Sequence, residues 1–154
     1  TTWNDPAIAA LNSGATLPAT NISVFFRSDE SGTSENMQKF LAAAAEMSWT
    51  AEPGKKWEGT AGEGKKGTQG VADGIKGVEG GFGYIEWKSA TDSQLGIAAI
   101  DDGDGSVALS AESVGKALLA AERVGTGNDH SIKLKYTDLG AGAYPAVMVT
   151  VGTT

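Results

Sequence analysis

The chain has no cysteine and a single histidine, His130, among its 154 residues. Without thiols there is no disulfide framework and no thiolate nucleophile. A lone imidazole argues against a histidine-rich metal centre and against a serine–histidine pair. No apolar run approaches the roughly 20 residues of a membrane-spanning helix. No signal peptide opens the chain either, and a start of "TTWND" reads as an excised or mature piece. Positive charge is scarce: 12 Lys and Arg stand against 19 Asp and Glu, a formal charge of −7. That balance disfavours non-specific binding to nucleic acid or to an anionic membrane, both of which need positive surface. It does not exclude one small anion gripped by short-range hydrogen bonds.

What is present has an alternating pattern. Asn4 or Asp5 ahead of Pro6 is a helix start, with "PAIAALN" running to about Ser13-Gly14. "ISVFF" at 22–26 is an apolar run of strand length, suited to a parallel sheet covered on both faces. Met37, Phe40, Leu41 and Ala44 then recur at helical spacing, with Ser31 or Thr33 as cap and Glu35 in the first turn. Residues 50–66 are polar and read mostly as loop. A helix follows over about 68–78, with Val71, Ile75 and Val78 on one side, and then "GGFGYIEWK" at 80–88 as a strand.

"LGIAAIDDGDGSVAL" reads as a hairpin. From Ser110, the residues Val114, Ala117, Leu118, Ala121 and Val124 predict a helix ending near Gly125. "SIKLKY" is a half-exposed strand, and "AYPAVMVTV" at 143–151 a last strand. Strands alternating with helices imply an α/β layer structure with a mainly parallel sheet. Trp3, Trp49, Trp57 and Trp87 make no spaced stripe and are assigned to packing.

The chemistry concentrates in "RSDESGT" at 27–33. Arg27 closes a strand, and Ser31-Gly32-Thr33 open a helix whose first amides lack partners. Two hydroxyls, a guanidinium and a glycine that admits close approach form a nest for an oxyanion. Asp29 either orients Arg27 or accepts a proton from the oxyanion. The same residues also fit an ordinary capped helix beside a surface Arg–Asp pair. "GEGKKG" at 62–67 matches a dinucleotide-type glycine pattern and "GTAGEGKK" at 59–66 falls one residue short of a phosphate loop, but they follow polar loop and Lys66 replaces the Ser or Thr of the latter, so a surface loop entering a helix is expected. "DDGDG" at 101–105 does not align with a calcium loop and reads as a turn.

With "RSDESGT" at a strand-to-helix junction, the chain resembles the phosphate-binding proteins of bacterial phosphate ABC transporters, most closely the actinobacterial or other Gram-positive branch. "TTWNDPAIAALNSGATLP", "GYIEW" and "AYPAVMVT" fall in the order and at about the spacings of that family. The resemblance implies a type II periplasmic-binding-protein lobe, with phosphate contacted by Arg27, Ser31, Gly32 and Thr33 and supported by Asp29 and Ser28. Where the family more often has glycine, this chain has Glu30. Family proteins are about twice as long, so residues 1–154 correspond to one inserted lobe, without the first lobe that completes the cage. The implied role is non-enzymatic and extracytoplasmic, in a periplasm or as a surface lipoprotein. It delivers phosphate to permease subunits with no cofactor or metal. Two alternatives are a phosphomonoester-processing enzyme built on the same nest and a structural domain whose site is idle.

Overall fold

The computed structural model describes residues 1–101, 103 and 105–149. They gather into two compact units, Thr1–Ser34 with Lys55–Leu95, and Glu35–Gly54 with the residues from Gly96 onward.

The first unit begins with α1 (Pro6–Leu11), where the Asp5 carboxylate accepts from the Ala7 N–H and Pro6 takes a first-turn position. Strand β1 (Ser23–Arg27) follows, and α2 (Gly32–Ala44) starts five residues after it ends. Next come β2 (Glu63–Lys65), α3 (Gly67–Gly77), β3 (Gly81–Gly83) and α4 (Trp87–Asp92). The three strands form one parallel sheet in the order β2-β1-β3. Its register sets Arg27 against Lys65 and Phe25 against both Glu63 and Gly83. The apolar run thus becomes the central strand of an α/β sheet.

Helix α3 packs on that sheet through Val71 and Ala72, which are fully buried. A Cβ at Gly81 would run into the Ile75 carbonyl oxygen, so this strand residue has to be glycine for the helix to lie so close. Phe26 stacks on Trp57, and Trp57 on Tyr84, at centroid distances of 5.9 and 5.0 Å.

Three expectations are corrected among these elements. The loop assigned to 50–66 contains β2, a strand of Glu-Gly-Lys. Its backbone pairing to β1 makes it a strand, with no apolar pattern to announce it. The strand expected over 80–88 stops at Gly83, and Trp87 and Lys88 belong to α4 instead. The helix face expected at Met37, Phe40, Leu41 and Ala44 is only half-buried, with Ala44 exposed, whereas Ser34 and Gln38 are fully buried. Both polar side chains tolerate burial because each is hydrogen-bonded, Ser34 to Tyr84 and Gln38 to the Gly54 carbonyl.

In the second unit, β4 (Ile100–Asp101) and β5 (Ser106–Val107) pair antiparallel, as the hairpin reading requires. Residues 102 and 104 of the predicted turn lie outside the described residues. Helix α5 (Ala111–Leu119) opens with a reciprocal capping box between Ser110 and Ser113. Its Ala117 joins Leu139, Ala143, Tyr144 and Val147 in the core.

The helix stops at Leu119, itself 88% exposed, rather than near Gly125. Glu122–Arg123 instead form β6, paired antiparallel with β7 (Ile132–Lys133). The last predicted strand is not formed over 143–149: Tyr144 donates its N–H to the Ser113 carbonyl and Val147 to that of Pro145, a compact buried turn. Residues 150 and 151 lie outside the described set. Among the described residues no helix is long and apolar enough to cross a membrane.

Candidate functional site

The carboxyl ends of the three parallel strands converge in the first unit, the end of such sheets where ligands bind. Arg27 is the last residue of β1. Its register partner Lys65 ends β2, which brings Gly67 and Thr68 at the start of α3 alongside. Beyond β3, Tyr84 and Glu86 arrive from the other flank.

Arg27 is gripped rather than free. Its Nε donates to Asp29 Oδ1 at 2.8 Å and its Nη2 to Asp29 Oδ2 at 2.5 Å, while Nη1 reaches the Thr68 hydroxyl at 3.3 Å. Asp29 Oδ1 also accepts the Gly67 N–H at 2.9 Å. A guanidinium has five N–H groups; one on each terminal nitrogen therefore has no partner among the described residues. The Arg27 side chain is 14% exposed, so its position is fixed while this remaining pair of donors stays available. The hydrogen bond with Asp29 raises the Arg27 pKa, and the hydrogen bonds from Arg27 and Gly67 hold the Asp29 carboxyl far below the usual range. Both are charged at any physiological pH.

The helix N-terminus has its own internal order. Ser31 is buried, donates its N–H to the Lys55 carbonyl at 2.9 Å, and accepts the Thr33 N–H on its hydroxyl at 3.1 Å. Its hydroxyl hydrogen has no acceptor among the described residues. Gly32 is exposed, with open space where a side chain would be. Thr33 turns its hydroxyl to Glu86 Oε1, 2.6 Å away. Tyr84 links the strand to the helix: its hydroxyl accepts the Arg27 N–H at 3.2 Å and shares a 2.6 Å hydrogen bond with Ser34.

Glu86 occupies the N-cap position of α4 yet makes no side-chain cap there. Its Oε2 is buried and has no hydrogen-bond partner among the described residues. Burial resists its ionisation, but the hydrogen bond from Thr33, with the Thr68 hydroxyl and the Arg27 charge nearby, holds its pKa below the ordinary value.

The structure therefore places Arg27, Asp29, Ser31, Gly32 and Thr33 in one cluster. Ser28 lies at its exposed margin, its N–H bonded to the Lys65 carbonyl, and Glu30 is also exposed. Thr68, Tyr84 and Glu86 belong to the cluster and were not singled out from the sequence. "GEGKKG" turns out to be β2 running into α3, and its last glycine, Gly67, gives its N–H to Asp29. Among the described residues no group of three or more acidic or histidine side chains could hold a metal ion.

The sequence matches the PBP superfamily domain over residues 1–151. The chain belongs to that superfamily. Within it, the chain is 42% identical to phosphate-binding protein PstS 2 of Mycobacterium tuberculosis over 97% of its own length. It is 41% identical to phosphate-binding protein PstS 3 of Mycobacterium leprae over 96% of its length. With phosphate-binding protein PstS of Pasteurella multocida it shares 39% identity over 72% of its length. The chain spans 42%, 41% and 33% of these relatives, respectively.

Proposed function

We propose that the chain is one lobe of a two-lobed extracytoplasmic receptor that binds inorganic phosphate and hands it to the permease of an ABC importer, without turning it over. The observation that carries this reading is Arg27, fixed by Asp29 with two donors to spare, beside Ser31, Gly32 and the first turn of α2. A guanidinium presents such a pair of parallel donors to an oxyanion in the geometry that gives the strongest charge-assisted bonds. Ser31 adds a hydroxyl hydrogen, and Gly32 allows an oxygen to approach the backbone. The names of the relatives support phosphate as the oxyanion, and the share of those relatives covered supports a single lobe.

Asp29 acts as the support of Arg27, since its two oxygens are engaged by Arg27 and Gly67. Calorimetric titration with phosphate tests the reading. Arg27→Ala should weaken binding by about 100-fold or more, the loss of two charge-assisted bonds. Undiminished affinity in that variant, with an unchanged fold by circular dichroism, would move the site elsewhere.

A further inference from the structure

Trp57 lies in the polar stretch between α2 and β2, outside any helix or strand, and is the only aromatic residue between Trp49 and Phe82. Its indole is nonetheless the middle of a three-ring stack, 5.9 Å from the Phe26 ring and 5.0 Å from that of Tyr84. The chain folds back tightly over it. A Cβ at Gly59 would lie 2.5 Å from the indole Nε1 and 2.7 Å from Cε2, so this position has to be glycine for the loop to close on the ring.

The two rings against Trp57 both act on the peptide that leads into Arg27. Phe26 is the residue before it, and Tyr84 accepts the Arg27 N–H on its hydroxyl at 3.2 Å. The same hydroxyl is 2.6 Å from that of Ser34, which is fully buried in the first turn of α2. Two residues before Trp57, the Lys55 carbonyl accepts the Ser31 N–H at 2.9 Å. One aromatic side chain thus stands behind three grips: on the end of β1, on the residue ahead of α2 and on the helix's first turn. Asp29 fixes the Arg27 guanidinium, while this stack holds the main chain from which Arg27 and Ser31 project.

Donors on two elements can grip one ion only while their separation holds. A binding constellation has to keep its groups within about 0.5 Å of their places, and the supporting contacts set that tolerance. We infer that Trp57 is a positioning residue of the oxyanion site: through Tyr84 and the Lys55 carbonyl it fixes how far Arg27 stands from Ser31 and the start of α2. It acts through those contacts and not on the anion itself. The inference rests on the phosphate-binding reading and adds to it a residue remote in sequence from "RSDESGT".

The test is a double-mutant cycle read by calorimetric titration with phosphate. Trp57→Leu should weaken binding about 10-fold or more while circular dichroism shows the fold unchanged. Trp57→Phe keeps an aromatic face between the two rings and should restore most of the affinity. Gly59→Ala pushes the indole aside without removing any stacked group, and should weaken binding as Trp57→Leu does. Tyr84→Phe keeps the stack but loses the hydroxyl that holds the Arg27 N–H, so it should weaken binding too. Because Trp57 acts through Tyr84, Trp57→Leu combined with Tyr84→Phe should cost clearly less than the product of the two single losses. Val147→Ala opens the core around Ala117 in the second unit and should lower stability alone. Full affinity in Trp57→Leu, or losses that multiply in the double variant, overturns the inference. A loss in Val147→Ala as large as that in Trp57→Leu does so as well, because general loosening then accounts for both. If Trp57→Leu does not fold, Gly59→Ala takes its place in the cycle. An unaltered protein that binds no phosphate brings down the functional reading itself; one that binds no better than Trp57→Leu brings down only the role of Trp57.

Discussion

Helix α3 carries two glycines that local propensity cannot tell apart, and the packing assigns them opposite signs. In a helix interior, glycine to alanine gains about 0.5–1 kcal/mol, because glycine loses more chain entropy on folding. At Gly70 that gain is realisable: a new Cβ would have Lys65 Cβ as its nearest neighbour, at 3.4 Å, an ordinary contact. At Gly74 the same atom would lie 2.8 Å from Cδ1 of Phe25 and 3.1 Å from its Cε1 and Cγ. Phe25 is only 4% exposed in the central strand, and its ring would have to shift to admit the new atom.

Overpacking of this kind costs about 1–3 kcal/mol. Set against the propensity gain, Gly74→Ala should be destabilising by up to about 2.5 kcal/mol, with Gly70→Ala stabilising by up to about 1 kcal/mol. For a chain of this size roughly 2–4 °C accompanies each kcal/mol. Scanning calorimetry should therefore show the two melting temperatures moving apart in opposite directions from the parent. If Gly74→Ala melts as high as Gly70→Ala, α3 does not rest on Phe25, and the seat of Gly67 and Thr68 beside Arg27 loses its explanation.

Two further outcomes bear on the cluster itself. Tyr84→Phe removes the hydroxyl shared by the Arg27 N–H and the fully buried Ser34, and the orphaned groups should cost about 1–3 kcal/mol in denaturant unfolding; a neutral effect would mean that Tyr84 does not tie β1 to α2. Glu86 has a lowered folded pKa, so its contribution to stability is present above its ordinary value of 4.5 and fades as the pH falls through the lower folded one. Unfolding across that acid range should bring the parent and Glu86→Gln together as the pH drops, and a gap that stays constant would mean that Glu86 gains no stabilisation from its charge.

Local chemistry determined the parts that are legible in the sequence. The Asp5–Pro6 start, β1 with Arg27 at its end, the Ser31 cap, the span of α3 and the Ser110 capping box each rest on residues within a turn or a strand of one another. Propensity, periodicity and capping act at that range, and so did the oxyanion pattern in "RSDESGT". The tertiary structure decided what depends on distant pairing. Three polar residues became β2 only because β1 offered backbone partners. In the second unit, Glu122 and Arg123 left the predicted helix for a hairpin, with Lys133 and Ile132 as backbone partners.

The cluster shows the same division. Thr68 lies 41 positions from Arg27 and Glu86 lies 53 from Thr33. Nothing in "KKGTQG" or "GYIEW" announces those partners. The sequence by itself supplied the donors for an oxyanion. Which of the two hydroxyls still has a hydrogen to give was set by where β3 ends, because a hydrogen bond depends on the position of both atoms and the fold alone brings the second one into reach.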